Sequence, residues 1–175
     1  MFLLLNMVDY NTIRRIRALT EGRLATATLG GTSRIVEVSR GCPQGGVLSP
    51  LLWCLVFDGL TARLNGCGVY SQVYADDICL LDVGKFPNTV SGLIRWALHT
   101  VEMWCDELGL SVNPDKTELF VFTRRSELPG FYEQRLFGMN LYRSMLVKYL
   151  GVVLDSRLTW REHVDVKVRK ARILL

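Results

Sequence analysis

The chain has 175 residues, enough for one domain with a real core, and 49% hydrophobic against 22% charged residues excludes a disordered protein. Its 21 basic and 17 acidic residues give a net charge of +4, which is compatible with a nucleic-acid partner but does not establish one. The five cysteines have no C-x-x-C spacing and the two histidines lie far apart, so we do not expect structural zinc.

Neither a membrane span nor a secretory leader is expected. The apolar start over residues 1–8 is too short to cross a bilayer, and it lacks the basic start and cleavage site of a signal peptide. An odd cysteine count without such a signal suggests a reducing compartment. The sequence therefore predicts a soluble, intracellular protein without a membrane partner. It does not decide whether the protein is in the cytoplasm or the nucleus, or what its oligomeric state is.

Apolar periodicity and turn residues predict the elements of the first half. Ser49 suits the N-cap of the second helix and Pro50 its first position, and we expect that helix to be buried because it is almost wholly apolar through Phe57. The predicted elements are a helix over 9–20, a hairpin of strands 23–29 and 34–38, a helix over 49–65, and a hairpin of strands 69–74 and 78–83.

The second half continues the irregular alternation of helices and strands. Such alternation with at least two hairpins predicts an α+β fold, in which helices pack on one face of an antiparallel sheet. The predicted elements are a long amphipathic helix over 87–108, a turn over 109–116, a strand over 117–122, a polar loop over 124–133, strands over 135–141 and 145–153, and a basic helix from about residue 160.

Asp76 and Asp77 lie at the predicted tip of the second hairpin, between two apolar, strand-like flanks. Two carboxylates about 4 Å apart repel by about 1 kcal/mol in water and about 4 kcal/mol near a protein surface. Because we expect the flanks to be buried, the pair needs a compensating partner, and a divalent cation is the simplest one. A plain polar turn is the alternative, since a hairpin tip breaks strand alternation in either case.

A glycine-rich loop over residues 39–46 is a second candidate site. Gly41, Gly45 and Gly46 permit close approach of the backbone to a ligand, and Gln44 offers both a donor and an acceptor. No Gly-Lys-Ser/Thr follows, so the loop is not a P-loop. The alternative is an ordinary connection between a hairpin and a helix.

Basic residues gather near both ends of the chain, either as solvated faces or as a groove for phosphates. Lys116 stands at the start of a predicted strand, where a solvated lysine is the simplest explanation. Trp53, Trp96 and Trp104 have the spacing of helix core residues and need no functional interpretation. The basic residues near the ends are Arg14, Arg15, Arg17, Arg23, Arg34, Arg40, Arg161, Lys167, Arg169, Lys170 and Arg172.

Four blocks contain most of these candidates: RGCPQGGVLSP at 40–50, YADD at 74–77, GLSVNPDKT at 109–117, and KYLGVVLD at 148–155 followed by Leu-Thr-Trp at 158–160 and His163. In this order and spacing they resemble the reverse transcriptase of non-LTR retrotransposons, from about residue 9 onward. No single block is decisive, but chance does not produce four in order. A different Mg²⁺-dependent phosphotransferase is a weaker alternative, because the fourth block resembles a primer grip.

The resemblance implies a polymerase palm with fingers and thumb, and RNA-templated DNA synthesis from an RNA template, a DNA primer and dNTPs. Asp76 and Asp77 would be the catalytic carboxylates, with Asp76 the foremost ligand of two Mg²⁺ ions. The implied division is fingers and palm hairpin with the nucleotide loop over 1–48, palm with the catalytic hairpin over 49–123, palm end and primer grip over 124–155, and start of the thumb over 156–175.

The resemblance also implies roles outside the carboxylate pair. Lys116 would protonate the leaving pyrophosphate, and Leu150 and Gly151 would form the primer grip. The residues that would contact the incoming nucleotide and the template are Arg40, Pro43, Gln44, Gly45 and Gly46.

The family requires a third aspartate, in an upstream strand where Asp is followed within a few residues by Ala-Phe and a further Asp. Asp9 is the one Asp among the first 40 residues, and its neighbours do not match. We therefore expect a fragment of an RNA-directed DNA polymerase that starts after that strand, lacks a bridging metal ligand and is inactive alone. The alternative is a non-catalytic remnant of a decayed element with at most weak nucleic-acid binding.

Overall fold

The computed structural model describes residues 9–38, 41, 43, 45–125 and 127–173. The chain forms two compact units, one from residues up to Cys67 together with Ser71–Cys79, the other from Gly68–Tyr70 together with Leu80–Leu175. Four α-helices and ten short strands occur within the described residues, and they confirm the α+β class. The described strands pair two by two, and most of the pairs are antiparallel.

The first unit opens with helix α1 (Tyr10–Thr20) and the strands β1 (Arg23–Leu29) and β2 (Thr32–Val38). Asp9 caps α1, since its carboxylate accepts hydrogen bonds from the amides of Asn11 and Thr12 and from the Thr12 hydroxyl. These bonds hold the pKa of Asp9 below its usual value, the side-chain bond from Thr12 having the largest effect. Asp9 thus has a structural role that needs no catalytic explanation.

The hairpin of β1 and β2 confirms the prediction. The strands are antiparallel, with Arg23 opposite Val38 and Leu29 opposite Thr32. Gly30 and Gly31 join them with φ of 56° and 80°, and two consecutive positive φ values are the mark of a type I′ turn.

Helix α2 (Ser49–Gly66) begins at the residue predicted as its cap, one residue before the predicted first helical position. The prediction of Ser49 as N-cap is wrong, because Leu48 occupies that position and the Ser49 hydroxyl donates to the carbonyl of Pro43 instead. The expectation that the helix is wholly buried is also wrong, since Leu51 is 58% exposed. Its buried residues follow one helical face and are Phe57, Leu60 and Leu64.

The second predicted hairpin forms from β3 (Tyr70–Tyr74) and β4 (Asp77–Leu81), joined by two residues. A connection this short can only join antiparallel strands. The hairpin bears the candidate carboxylates.

The second unit is built on helix α3 (Pro87–Leu108), whose bounds agree with the prediction. Pro87 suits the first helical turn, and Gly109 ends the helix in the left-handed conformation with φ of 62°. A 3₁₀ turn (Pro114–Lys116) and strand β5 (Leu119–Phe120) follow, the strand being shorter than predicted.

The remaining elements are β6 (Gln134–Leu136), β7 (Met139–Leu141), β8 (Arg143–Ser144), β9 (Leu146–Tyr149), β10 (Val152–Asp155) and α4 (Arg161–Ile173). Strands β6 with β7 and β9 with β10 form antiparallel hairpins, whereas β5 pairs with β8 in parallel. Each of the two strands predicted over 135–141 and 145–153 is therefore interrupted by a turn.

The core of the second unit gathers around Leu98, Leu136 and Leu141, with Leu80, Ile94, Val112 and Leu119 packed against it. Beside it lies a polar network in which Gln134, fully buried, donates through Nε2 to the Ser91 hydroxyl and the Tyr132 carbonyl, both at 2.8 Å. The Ser91 hydroxyl in turn accepts from the amide of Tyr132 at 2.8 Å. The Nε2 group of Gln134 is satisfied, whereas its Oε1 has no partner among the described residues. The bonds from Nε2 tie β6 to α3 at one register.

Candidate functional site

The turn between β3 and β4 places both candidate carboxylates at the tip of the hairpin. Ala75 and Asp76 form the two-residue loop, and Asp77 is the first residue of β4. Ala75 has φ of 54°, a conformation that costs a non-glycine residue about 1–2 kcal/mol. A positive φ at the first loop residue is typical of the primed turns of hairpins, and strain of this kind concentrates at functional sites.

Both carboxylates are exposed, and the strands that flank them contain both half-buried and exposed residues. Tyr74 is 61% exposed and Leu81 is 42% exposed, so the expectation that both flanks are buried is wrong at these positions. In water the repulsion of two nearby carboxylates is closer to the lower value of about 1 kcal/mol. The pair can therefore exist without a cation, and burial no longer argues for one.

The chemistry of the pair nevertheless fits a divalent cation. No described residue donates a hydrogen bond to, or forms an ion pair with, Asp76 or Asp77. Mg²⁺ takes hard oxygen ligands, and one or two carboxylates suffice when waters and phosphates complete its shell. Within the described residues no group of three or more His, Cys, Asp or Glu side chains could hold a metal. The pair fits one Mg²⁺ ion, and the described residues do not complete the predicted two-ion site.

Helix α2 holds the same hairpin at two points. The indole nitrogen of Trp53 donates to the carbonyl oxygen of Ala75 at 2.9 Å, next to the carboxylate pair. At the base of β3, Asn65 Oδ1 accepts from the amide of Ser71 at 3.1 Å and from its hydroxyl at 3.2 Å. Sequence reasoning missed both contacts, because Trp53 has the spacing of a core residue and its partner lies 22 residues away.

A cleft of about 250 Å³ lies between α2 and the hairpin tip. Its lining residues are Trp53, Cys54, Phe57, Asp58, Thr61, Val73 and Ala75. The rings of Trp53 and Phe57 meet edge to face, with centroids 5.1 Å apart and planes at 81°. This aromatic contact fixes the indole that reaches the turn.

The glycine-rich loop is organised as the entrance to α2. The carbonyl of Pro43 accepts from the amide of Gly46 at 3.2 Å as well as from the Ser49 hydroxyl. A Cβ added at Gly46 would lie 2.7 Å from that hydroxyl, which would have to move away from its position against Pro43. Gly45 has φ of 81°, which also favours glycine. Arg40 and Gln44 lie outside the described residues.

Lys116 ends the 3₁₀ turn of the second unit, and its side chain is exposed. Asn113 caps this turn by accepting from the amide of Asp115 at 2.9 Å. Lys116 thus belongs to the second unit, whereas Asp76 and Asp77 belong to the first. Its predicted role in protonating pyrophosphate stays a prediction.

Leu150 and Gly151 form the two-residue turn between β9 and β10, and this turn interrupts the predicted strand. Their φ values of 46° and 83° correspond to a type I′ turn, which is unusual for a leucine. The turn also belongs to the second unit, and its role as a primer grip stays a prediction.

The end of the fourth block organises the connection into α4. The Asp155 carboxylate accepts from the amides of Arg157, Thr159 and Trp160 and from the Thr159 hydroxyl, at 2.8 to 3.2 Å. Desolvation alone would raise the pKa of Asp155, but these four hydrogen bonds outweigh it and lower the pKa. In addition, His163 Nδ1 accepts from the amide of Val153 at 3.2 Å and so ties α4 to β10.

The sequence matches the family described as reverse transcriptase (RNA-dependent DNA polymerase) over residues 9–154. The chain therefore belongs to the reverse transcriptase family, as its four blocks predict. No solved structure matches it significantly.

Similar proteins from insects come from non-LTR retrotransposons, which confirms the narrower resemblance. The probable RNA-directed DNA polymerase from transposon BS of Drosophila melanogaster is 32% identical over 165 residues, covering 89% of this chain and 18% of that protein. The Pol polyprotein from type-1 retrotransposable element R1 2 of Nasonia vitripennis is 29% identical, covering 75% of this chain and 33% of that protein.

A third relative is the RNA-directed DNA polymerase from mobile element jockey of Drosophila funebris, 29% identical over 85% of this chain. The chain spans 17% to 33% of the length of these three curated relatives. In the described part of the chain, no helix is long and apolar enough to cross a membrane.

Proposed function

We propose that this chain carries the catalytic hairpin of a retrotransposon RNA-directed DNA polymerase. The observation that supports it is the hairpin tip itself. In a chain of this family, two exposed carboxylates lie in and beside a strained turn and have no partner among the described residues. Asp76 and Asp77 would hold a divalent cation there. When bound, Mg²⁺ activates the primer 3′-hydroxyl and offsets charge on the leaving pyrophosphate.

The partners of this activity are an RNA template, a DNA primer and dNTPs. Lys116 would supply the proton to pyrophosphate, and Leu150 and Gly151 would support the primer strand from a rigid turn. The residues proposed to contact the incoming nucleotide and the template are Arg40, Pro43, Gln44, Gly45 and Gly46.

The chain alone is proposed to be inactive. Nucleotidyl transfer by two metal ions requires ligands that span both ions, and Asp76 and Asp77 are two of the three aspartates that the family uses. Asp9, the one Asp in the first 40 residues, is engaged as the cap of α1 and does not stand in for the third.

Primer extension on an RNA template tests this proposal. The chain with Mg²⁺ and dNTPs should give no extension, whereas the chain joined to its natural upstream region, if that region encodes the missing Asp, should extend the primer. Asp76→Ala should abolish that extension and Asp58→Ala, an exposed carboxylate on α2, should not. Extension that survives Asp76→Ala would remove the proposed role of the pair.

A non-catalytic remnant is the second candidate, favoured by exposed cations on the terminal helix of the described chain. Lys167, Arg169, Lys170 and Arg172 are all exposed on α4. Exposed cations close together on one helix predict salt-sensitive association with RNA or DNA without nucleotide incorporation. An upstream sequence interrupted by stop codons would favour the remnant, and absence of binding at low salt would remove its nucleic-acid role.

A further inference from the structure

We propose that Trp53 is a positioning residue that sets the orientation of the Asp76–Asp77 turn through its hydrogen bond to Ala75. The inference rests on the proposed function of the two carboxylates. It assigns a role in metal binding to a residue that does not touch the metal. The following observations concern the first unit alone.

The hydrogen bond acts on the peptide group that leads directly into the carboxylate pair. The acceptor is the carbonyl oxygen of Ala75, and that oxygen lies in the same rigid plane as the amide nitrogen of Asp76. Fixing this oxygen therefore fixes the rotation of the plane and the direction in which the chain enters Asp76. No other residue of the turn has a described side-chain tether of this kind.

The turn needs an external tether because its own residues do not favour its shape. Ala75 has φ of 54°, where alanine is less stable than in ordinary backbone conformations, and it carries no side-chain group that could stabilise the turn locally. A glycine or asparagine would adopt this conformation readily. The sequence instead places alanine there and supplies a donor from a neighbouring helix.

The donor is itself held firmly. The Trp53 ring packs edge to face on Phe57, which is 4% exposed and so anchors the indole to the buried face of α2. The same helix holds the base of the hairpin through Asn65 and Ser71.

The distance between the two tethering residues on α2 is similar to the distance between their partners on and after β3. Trp53 and Asn65 are separated by a rise of about 18 Å along a helix, and Ser71 and Ala75 by about 13 Å along a strand. Because the indole is long, it covers the remaining distance. Helix α2 therefore supports β3 from its base to its tip, in the opposite chain direction.

Catalytic ligands must be held within about 0.5 Å of their working geometry, and residues behind them supply that precision. Removal of the indole N–H should therefore weaken metal binding at the pair by about five- to tenfold, the factor that one net hydrogen bond corresponds to. A tryptophan that serves packing alone would have no such effect when another aromatic ring replaces it.

The test titrates the 175-residue chain with Mn²⁺ and follows the broadening of the Asp76 and Asp77 amide signals by NMR. Trp53→Phe removes the donor and keeps a ring against Phe57. Trp96→Phe on helix α3 is the matched control, since it makes the same substitution at an indole that has no described hydrogen bond to the hairpin. Asp76→Ala tests the metal site itself, and exchange of the Trp53 indole proton with solvent reports the hydrogen bond directly.

Trp53→Phe should weaken Mn²⁺ binding about five- to tenfold and Trp96→Phe by less than twofold. The Trp53 indole proton should exchange at least several times more slowly than that of Trp96. If Trp53→Phe lowers the stability of the chain, replacement of Trp53 by benzothienylalanine, with sulfur in place of the indole nitrogen, removes the donor alone.

If Trp53→Phe and the unsubstituted chain bind Mn²⁺ with equal affinity while Asp76→Ala does not bind it, the positioning role is overturned. The proposed function is then left intact. A similar loss in Trp96→Phe would also overturn the positioning role, because the effect would not be specific to the hydrogen bond at Ala75. Mn²⁺ binding that does not depend on Asp76 would remove the proposed function and with it this inference, whereas the indole exchange rate would still report the contact.

Discussion

Two turns of this chain present aspartates in opposite ways. The Asp155 carboxylate accepts four hydrogen bonds from the residues that follow it, whereas Asp76 and Asp77 accept none from the described residues. Both turns lie at the end of a strand, and both belong to blocks that resemble a polymerase. An aspartate whose lone pairs are filled by its own chain serves the fold, and one whose lone pairs are open remains available to a ligand.

The largest effect on stability is expected from Asp155→Ala. This change leaves the amides of Thr159 and Trp160 without their acceptor and loosens the connection into α4, so the helical circular dichroism and the thermal midpoint should both fall. Asp155→Asn should retain part of the stability, because its amide oxygen still accepts. A thermal midpoint equal to that of the unsubstituted chain would show that the four hydrogen bonds do not contribute to stability.

The next effect is a dependence on pH. The folded-state pKa of Asp155 is lowered, so its contribution to stability is fully present above the unfolded value near 3.9 and is lost as the pH falls through that value and below. Urea unfolding between pH 6 and pH 3 should show a smaller loss of stability in Asp155→Asn than in the unsubstituted chain. Parallel curves for the two proteins would contradict the assignment. The lowered pKa of Asp9 leaves a residual slope in both.

Ala75→Gly should stabilise the chain by up to about 1 kcal/mol, because glycine adopts a φ of 54° without the steric penalty of alanine. Ala27→Gly in strand β1 is the matched control and should destabilise, since ordinary strand geometry gains nothing from glycine. The midpoints of urea unfolding measure both changes. The same sign for both variants would show that the turn at Ala75 is not strained.

The smallest effect on stability is expected from Asp76→Asn. An exposed side chain without a described partner should change the free energy of unfolding by at most about 0.5 kcal/mol. Binding of Mn²⁺, by contrast, should fall sharply, because the amide is a far weaker ligand than the carboxylate. A large loss of stability would place Asp76 with Asp155 among the structural aspartates and remove the contrast between the two turns.

The sequence predicted the elements whose signals are local. Helix α3 was bounded correctly because Pro87 marks its first turn and Gly109 its end, and Gly30-Gly31 located the first hairpin. The turns at Phe137-Gly138 and Leu150-Gly151 were missed, since neither has the Asn-Gly or Asp-Gly pair that announces a type I′ turn.

The candidate site was only partly predictable for the same reason. Adjacent aspartates in a block typical of the family are visible in the sequence, so Asp76 and Asp77 could be identified as candidate metal ligands. Their exposure and the contact from Trp53 depend on which distant segments lie beside the hairpin, and no local periodicity records that.

The buried hydrogen bond between Gln134 and Ser91 helps to specify the register of β6. If this strand slipped by one residue, Gln134 and Leu136 would turn to solvent and Arg135 would enter the core. Exposure of Leu136 and burial of Arg135 already disfavour such a slip. Gln134 adds hydrogen bonds to specific partners, which are lost outside this register. An arginine in its place would have to bury a charge without a described carboxylate partner. The hydrogen bonds of Gln134 thus add to the preference for this register that the hydrophobic pattern already sets.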